Sequence, residues 1–184
     1  MSDIYIDTDC LCSFVRTHHS DLIKKVYPDS TIFVPNAVHL EIINPAAGGL
    51  ESLRNSYYLA LTNKDVVLAG SFTLDSPEYL EYLTLTNRGD GGKIIGAGEA
   101  AAIVHVKHNP GSLLASNNLR DILFYVRKYS ITHITTEVIL LEALRQGIIN
   151  ENMGEKIWQK MLACHRTLPF KTFKESIENS IKHV

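Results

Sequence analysis

The sequence predicts an α/β fold in which helices flank a short, parallel β-sheet. Short apolar segments alternate with longer amphipathic segments along the whole 184-residue chain, which is the pattern of repeated strand–helix units. The strand-like segments are apolar throughout, as expected for strands that are buried on both faces. With 45% hydrophobic residues the chain can bury one core, so we expect a single domain over residues 1–184, with a helical extension from about residue 151.

Five segments are predicted to be strands because they are short, apolar and rich in β-branched or aromatic residues. They are residues 4–6 (IYI), 31–34 (TIFV), 66–69 (VVLA), 112–116 (SLLAS) and 131–135 (ITHIT). Asp7 directly follows the first of them, and Asn117 directly follows the fourth. In an open parallel sheet, ligands bind beyond the carboxyl ends of the strands, so both side chains are candidates for a functional site.

The segments between the strands carry apolar residues at helical spacing. We predict helices at residues 11–26, 36–43, 50–61, 76–85, 99–108, 117–129, 137–147 and 150–166, and in the tail after Pro169. Asn36 is the expected N-cap of the second helix, and the sequence NPAAGG at 44–49 is expected to end it. Ser76 followed by Pro77 is a favourable helix start, because proline is well tolerated at the first helical position.

The charge distribution excludes several classes of protein. The formal net charge is −2, so no general excess of basic residues indicates nucleic-acid binding. Asp3, Asp7 and Asp9 interrupt the N-terminus and argue against a signal peptide. No apolar run reaches the roughly 18 residues of a membrane span. We therefore expect a cytoplasmic protein that does not associate with a membrane.

The cysteines and histidines give no clear metal-binding pattern. The three cysteines are Cys10, Cys12 and Cys164, and their spacing is not that of a zinc site. We expect reduced thiols, because free cysteine behaves as a small hydrophobic residue. His105 and His108 are three residues apart on a predicted helix and have no third ligand nearby, so we expect them at the surface.

The sequence IIGAGEAAAI at residues 94–103 allows two incompatible interpretations. Gly96, Gly98 and Ala101 match the glycine pattern of a dinucleotide-binding loop. That loop requires a preceding strand and an acidic residue about 20 positions later, to bind the ribose. Only KII precedes it here, and Asn117 and Asn118 occupy the later place. The sequence favours the other interpretation, in which the helix start presents Glu99 to an acidic site and no dinucleotide is bound.

Several acidic and amide side chains would lie close together at one edge of the sheet if the first and fourth strands are neighbours. They are Asp7, Glu41, Glu99, Asn117, Asn118 and Asp121. Carboxylates held together repel one another unless a cation lies between them. Mg²⁺ and Mn²⁺ prefer such oxygen ligands, and a metal-bound water suits phosphoryl-transfer chemistry. The sequence therefore predicts a metal-dependent hydrolytic site at this edge of the sheet.

At this point the chain resembles PIN-domain ribonucleases, and most of all the nuclease toxins of prokaryotic toxin–antitoxin pairs. Five segments carry the resemblance in the family's order from residue 4 to about 150: IYIDTDCL, IFVPNAVHLEII, GAGEAAAI, LLASNNLRD and ITTEVILLEALRQGII. The resemblance implies a three-layer α/β/α fold with strand order 3-2-1-4-5. It also implies cleavage of RNA with Mg²⁺ or Mn²⁺, an antitoxin protein as partner, and leaves a homodimer open.

The resemblance also assigns roles to residues. It implies that Asp7, Glu41, Glu99 and Asp121 are the catalytic acids and that Asn118, with Asp7, Glu99 and Asp121, binds the metal. Thr8, Asp9 and Asn117 take supporting places. Asn118 is a departure, since the family often has aspartate there, and a neutral amide removes one negative charge. A PIN fold that has lost nuclease activity and only binds RNA or protein is therefore an alternative.

Basic residues near the predicted site are candidates for contacts with RNA phosphates. We expect Arg16 and Arg120 in this role, and the wider set of candidates adds Lys24, Lys25, Arg127 and Lys128.

A second alternative comes from DTDCL at residues 7–11, which resembles the first motif of haloacid-dehalogenase-type phosphatases. That class needs a later lysine and an acidic pair after a strand, and RGDGGK at 88–93 lies in a loop with no predicted strand before it.

Overall fold

The computed structural model describes residues 2–44 and 51–182 and confirms the α/β fold. Five parallel strands form one sheet in the order β3-β2-β1-β4-β5. The strands are β1 (Ile4–Ile6), β2 (Ile32–Val34), β3 (Val67–Leu68), β4 (Leu113–Ala115) and β5 (His133–Ile134). The strand order is the one that the PIN resemblance implied.

Ten helices are found in the described part of the chain, and they cover both faces of the sheet. They are α1 (Thr8–Val15), α2 (Ser20–Val26), α3 (Asn36–Ile43), α4 (Glu51–Thr62), α5 (Pro77–Asn87), α6 (Ala97–His108), α7 (Leu119–Lys128), α8 (Thr136–Arg145), α9 (Glu151–Ala163) and α10 (Phe173–Lys182). The predicted helix stop at 44–49 lies almost wholly outside the described residues.

The two sheet faces bury different sets of side chains, because successive residues of a strand point to opposite faces. Ile4 and Ile6 of β1 pack into a core cluster with the apolar faces of α1 to α4 and α8 to α10. Tyr5, between them, packs with α5, α6 and α7 on the other face. The C-terminal helices join the first cluster through Trp158 and Phe173, whose ring centroids are 5.6 Å apart.

The register places the two central strands side by side. Ile4 of β1 is opposite Ile32 of β2 on one side and opposite Leu113 of β4 on the other. The pairing continues one residue past β1, where the Asp7 amide donates to the Ala115 carbonyl at 2.9 Å. The residue after β1 and the residues after β4 therefore lie next to each other at the carboxyl edge of the sheet.

Three predictions about local structure are wrong. Residues 11–26 form two helices, because the left-handed backbone conformation of His18, with φ of +60°, interrupts the helical path. Asn36 is the first residue of α3, and the N-cap position is Pro35, without a side-chain cap bond. β3 is an edge strand with both residues exposed, so it is not buried on both faces.

His105 also differs from its predicted surface position. Its ring stacks on that of Tyr5 with 4.9 Å between the ring centroids, and its centroid lies 4.5 Å from that of Phe72. Burial lowers the pKa of His105 to about 4, so the ring is neutral at physiological pH. His108 does lie at the surface, where it contacts Glu81 at 2.9 Å.

Candidate active site at the carboxyl edge of the sheet

The acidic side chains gather along the edge formed by the carboxyl ends of β1, β2 and β4. We call this edge the acidic rim, and define it by Asp7, Asp9, Glu41, Glu99 and Asp121 together with Asn117 and Asn118. Asp7 and Asp9 come from the start of α1, Glu41 from α3 and Glu99 from the first turn of α6, while the other three lie between the end of β4 and the first turn of α7. They meet because the parallel strands end at the same edge of the sheet.

Asp7 is the most buried acid of the rim, with an exposed fraction of 1%. Its Oδ1 accepts a hydrogen bond from the Cys10 amide at 2.8 Å, which makes it the N-cap of α1, and its Oδ2 accepts from the Ser116 hydroxyl. The pKa of Asp7 is raised to about 7, mainly by burial and to a smaller extent by the charges of Asp9 and Glu99, against the lowering effect of the two hydrogen bonds. The helix-capping role and a site role are therefore combined in one residue.

Glu99, Asn118 and Asp121 form a short chain of contacts beside Asp7. The Asn118 side-chain nitrogen donates to Glu99 Oε1 at 3.0 Å and to Asp121 Oδ2 at 3.0 Å. Both carboxylates are thus held by a neutral amide, whose oxygen takes no part in either bond. The bond from Asn118 and the contact with Lys93 lower the pKa of Asp121, which keeps that group charged.

Glu41 reaches the rim from α3 and is tied to the start of α6. Its Oε1 accepts from the Gly98 amide at 2.9 Å, and its Oε2 accepts from the Thr8 hydroxyl. A Cβ atom on Gly98 would lie 2.7 Å from Thr8 Oγ1 and 3.0 Å from Glu41 Oε2. Gly98 therefore lets α6 approach α1 and α3 closely.

Asp9 faces the opposite end of the rim, where the C-terminal part of the chain reaches it. Arg166 Nη1 pairs with Asp9 Oδ1 at 2.8 Å, and the Asn117 side-chain nitrogen donates to Asp9 Oδ2 at 3.3 Å. Asn117 is held in turn by Thr136, whose amide donates to its oxygen at 2.9 Å. Asn117 therefore joins the ends of β4 and β5 to the first turn of α1.

Sequence reasoning missed three of the residues that contact the rim acids. Ser116 could have been found, since it ends the predicted fourth strand on the same edge as Asp7. Lys93 bonds Asp121 at 3.2 Å from the glycine-rich connection, and Arg166 comes from the segment after α9. No local signal marks either cation, because 28 and 157 residues separate them from their partners.

The predicted phosphate contacts are spread over the molecule. Arg120 is exposed on the first turn of α7, close to Asp121. Arg16 and Arg166 both act on the buried Cys12 thiol, lowering its pKa against the effect of burial, so the two cations lie near one another. Lys24, in contrast, donates to the Ser30 carbonyl before β2, at the opposite edge of the sheet.

The other basic candidates lie away from the rim. Arg127 and Lys128 are at the far end of α7, and Lys128 pairs with Asp90 at 2.6 Å. Lys25 pairs with Asp21 on its own helix. Of the predicted basic residues, Arg120 lies on the first turn of α7 beside the rim, and Arg16 lies near Arg166.

The oxygen atoms of the rim are the kind of ligand that a divalent cation prefers, but the rim side chains do not lie close enough together to form a complete metal site. Within residues 2–44 and 51–182, no three histidine, cysteine, aspartate or glutamate side chains lie close enough together to hold one metal ion. Mg²⁺ is nevertheless commonly bound by only one or two carboxylates and retains several waters. Asp7 has no cationic partner among the described residues, although it is fully buried beside other acids. Asp7 and Glu99, with the free amide oxygen of Asn118, are therefore a suitable set of oxygen donors.

None of the three cysteines forms a disulfide bond in the described structure. Cys10 and Cys12 are buried free thiols and Cys164 is a half-buried free thiol, so the prediction of reduced cysteines agrees with the structure. No helix in the described ranges is long and apolar enough to cross a membrane.

One of three comparisons with known proteins found a match. A family model described as a PIN domain matches residues 3–179, which is nearly the whole chain. Comparisons with curated proteins and with solved structures gave no match. PIN domains are generally nucleases and typically use divalent metal ions, which favours neither a dinucleotide-binding protein nor a haloacid-dehalogenase-type phosphatase. From the match over residues 3–179 and the strand order of the sheet, we conclude that the chain belongs to the PIN-domain family.

Proposed function

We propose that the protein is an endoribonuclease that hydrolyses RNA phosphodiesters at the acidic rim with Mg²⁺ or Mn²⁺. The observation that carries the proposal is the environment of Asp7. This carboxyl group is buried at the end of the central strand without a cationic partner in the described residues, next to Glu99 and Asp9. Burial of an unpaired acid costs stability, and such costs are typical of sites that serve a function.

Each residue of the rim has a distinct task in this proposal. Asp7 and Glu99 hold the cation, and the Asn118 amide oxygen completes the protein ligands. A bound Mg²⁺ or Mn²⁺ supplies charge neutralisation at the phosphate and a water of lowered pKa. Asp121 lies one contact further out and fixes Asn118 through the 3.0 Å bond. Glu41 and Thr8 hold the start of α6, and with it Glu99, in place.

Arg16 and Arg166 are the proposed contacts for RNA phosphates, and Arg120 is a third on the other side of the rim. Arginine suits this role because its planar guanidinium can bind two phosphate oxygens at once. Arg16 lies close to Arg166, because both cations lower the pKa of the same Cys12 thiol. Arg166 pairs with Asp9 through Nη1 and therefore holds its charge at the rim.

The decisive experiment measures cleavage of a fluorophore–quencher single-stranded RNA with Mn²⁺, with Mg²⁺ and with EDTA. We expect cleavage only with the metal, and loss of cleavage in Glu99→Gln. Glu151→Gln is the matched control, because Glu151 is also an acid in the first turn of a helix but is exposed on α9. Undiminished cleavage in EDTA, or in Glu99→Gln, would overturn the proposal.

Metal binding can be tested without any substrate. Saturating Mn²⁺ should raise the free energy of unfolding by RT ln(1 + [L]/Kd), about 2.7 kcal/mol at 100 times Kd. The gain should be largely lost in Asp7→Asn. Equal Mn²⁺ shifts of the melting temperature in both proteins would show that Asp7 is not a metal ligand.

A second candidate function, an inactive PIN fold that only binds RNA or protein, is favoured by one observation. Asn118 stands where the family often has aspartate, and its neutral amide donates hydrogen bonds to Glu99 and Asp121. Asn118→Asp separates the two candidates. In an active enzyme, the added carboxylate should lower the Mn²⁺ concentration needed for half-maximal cleavage. In an inactive module, the wild type should leave RNA intact at every Mn²⁺ concentration.

The role as a toxin, and an antitoxin as partner, rest on the resemblance of the five segments alone. Expression of the wild type in a bacterial host should then stop growth, and Asp7→Asn should not. Normal growth at equal levels of the two soluble proteins would argue against a toxin and leave the nuclease proposal intact.

A further inference from the structure

A small cavity opens beside the acidic rim, on the side that faces the C-terminal part of the chain. It has a volume of about 220 Å³ and lies between the loops after β4 and β5 and residues 167–169. The residues that matter for its chemistry are Asn117, Leu119, Thr135, Glu137, Thr167 and Leu168.

The cavity and the acidic rim share a wall. Asn117 lines the cavity and also donates to Asp9 Oδ2 at 3.3 Å. Arg166 directly precedes Thr167 and pairs with Asp9 at 2.8 Å. The cavity therefore adjoins the segment that carries the cation we assign to a phosphate contact.

The lining combines apolar walls with a few oriented polar groups. Leu119 and Leu168 provide apolar surface, while Glu137 and the Thr135 hydroxyl provide hydrogen-bonding groups. Glu137 is fixed, because its Oε1 accepts from the Ser176 hydroxyl at 2.6 Å. Apolar walls with a small number of placed polar groups are the usual composition of a site for a small organic ligand.

The size of the cavity limits its occupant. A volume of 220 Å³ is below the roughly 300 Å³ at which pockets for drug-sized ligands begin, and holds about seven waters at ~30 Å³ each. A single planar base is within this limit, whereas a whole nucleotide is not. Single-stranded RNA is the form in which unstacked bases are free to enter such a pocket.

We propose that this cavity is a nucleobase subsite that selects a base with an exocyclic amino group next to the cleaved phosphate. The Glu137 carboxylate only accepts hydrogen bonds, so it favours an amino group over a carbonyl oxygen at the same place. Cytosine is therefore bound in preference to uracil, which has the same ring size and a carbonyl at that position. This inference rests on the proposed function, since it takes the acidic rim as the site of RNA cleavage.

The test compares binding of fluorescein-labelled oligocytidine and oligouridine of equal length by anisotropy, in EDTA and at one fixed salt concentration. Homopolymers place the same base in the subsite whatever the binding register. We expect oligocytidine to bind about tenfold more tightly, which is the size of one hydrogen bond to a charged group. Binding in EDTA separates recognition from cleavage.

Two variants test the assignment to this cavity. Glu137→Gln keeps an oxygen for Ser176 but adds an amino group, and should abolish the preference for cytidine. Thr167 is exposed beside the cavity, so Thr167→Phe places a ring at its mouth. This variant should bind both oligonucleotides more weakly than the wild type does, and with similar affinity for the two. Glu142→Gln is the matched control on the same helix, at its opposite end, and should keep the preference.

The outcomes distinguish this inference from the proposed function. Equal binding of the two oligonucleotides, no binding of either, or a preference that survives both Glu137→Gln and Thr167→Phe would overturn the subsite. Mn²⁺-dependent cleavage in that case would leave the nuclease proposal standing. A preference for cytidine that depends on Glu137, without any cleavage, would support the subsite and overturn the nuclease.

Discussion

Asp7 and Asp121 are both acids of the same rim, but the fold gives them opposite surroundings. Asp7 is buried, has only neutral hydrogen-bond partners, and has its pKa raised to about 7, mainly by burial. Asp121 is partly exposed, pairs with Lys93 and Asn118, and has its pKa lowered by these contacts. One acid is held at a cost to the folded state, and the other is stabilised by its neighbours.

This difference indicates which acid the fold maintains for a purpose. A surface aspartate with a lysine partner needs no functional explanation, because such pairs are common and contribute little. A buried carboxyl without a cation is rare unless a ligand supplies the missing charge. We therefore place the centre of the proposed chemistry at Asp7 and assign Asp121 a positioning role through Asn118.

The largest expected effect concerns the pH dependence of stability without metal. The pKa of Asp7 is about 7 in the folded protein and near 3.8 when unfolded, so the folded state retains a proton between these values. The free energy of unfolding should fall as pH rises from about 4 to about 7, by up to roughly 4 kcal/mol. Asp7→Asn should lack this fall and be the more stable protein at pH 8. The check is denaturant unfolding of the wild type and Asp7→Asn in EDTA at several pH values. If Asp7 is not the cause, the unfolding free energies of the two proteins will change with pH in the same way.

The second effect is on catalysis and compares the two aspartates directly. Asp7→Asn should lower kcat/KM for RNA by more than about 100-fold, beyond the usual range for residues that only support a metal ligand. Asp121→Asn should remain within that range, at about tenfold to 100-fold. The check is the Mn²⁺-dependent cleavage rate of both variants. Equal losses would remove the distinction between the two aspartates.

A third effect tests the close approach of α6 to the rim. Gly98→Ala should lower the free energy of unfolding by about 1 kcal/mol, because the added methyl meets Thr8 Oγ1 and Glu41 Oε2. That corresponds to a fall in melting temperature of roughly 2–4 °C for a chain of this size. Gly70→Ala is the matched control, since nothing lies within 4 Å of its added Cβ. A fall of the same size in the control would mean that crowding at the rim is not responsible.

The smallest effect compares the two cations at the ends of the rim. The Lys93 and Asp121 side chains are 59% and 39% exposed, so Lys93→Met should change stability by no more than about 0.5 kcal/mol. Arg166 is only 18% exposed and ties the C-terminal part of the chain to Asp9, so Arg166→Met should cost about 1 kcal/mol. Melting temperatures of the two variants, measured at low and high salt, show which contact contributes more to stability. A larger loss in Lys93→Met would reverse our ranking of the two contacts.

Much of the site could be predicted because it depends on local sequence. Asp7 was identified from its place after the first strand, and Glu99 from its place in the first turn of a helix. Ser116 followed from the same rule about strand ends but was overlooked. The break at His18 was not foreseen, since apolar spacing continues through 11–26 and only the backbone conformation ends the first helix.

Contacts between distant parts of the chain could not be predicted in the same way. The pair of Arg166 and Asp9 joins residues 157 positions apart, and neither sequence context marks it. His105 is expected at the surface because the sequence offers no third metal ligand near it, but aromatic rings from β1 and the loop after β3 pack against it. Such contacts depend on which helix faces pack together, and periodicity alone does not specify that.

The sequence by itself determined the alternation of strands and helices, and hence a parallel sheet whose carboxyl edge collects Asp7 and the residues after β4. Handedness and strand twist leave few ways to connect such units, so local patterns were sufficient for this level of structure. Only the tertiary structure decided how deeply Asp7 is buried, that Asn118 holds Glu99 and Asp121, and that a cavity beside Asn117 includes Glu137. Burial and side-chain pairing arise from the packing of elements far apart in the chain, and local residue patterns carry no information about them.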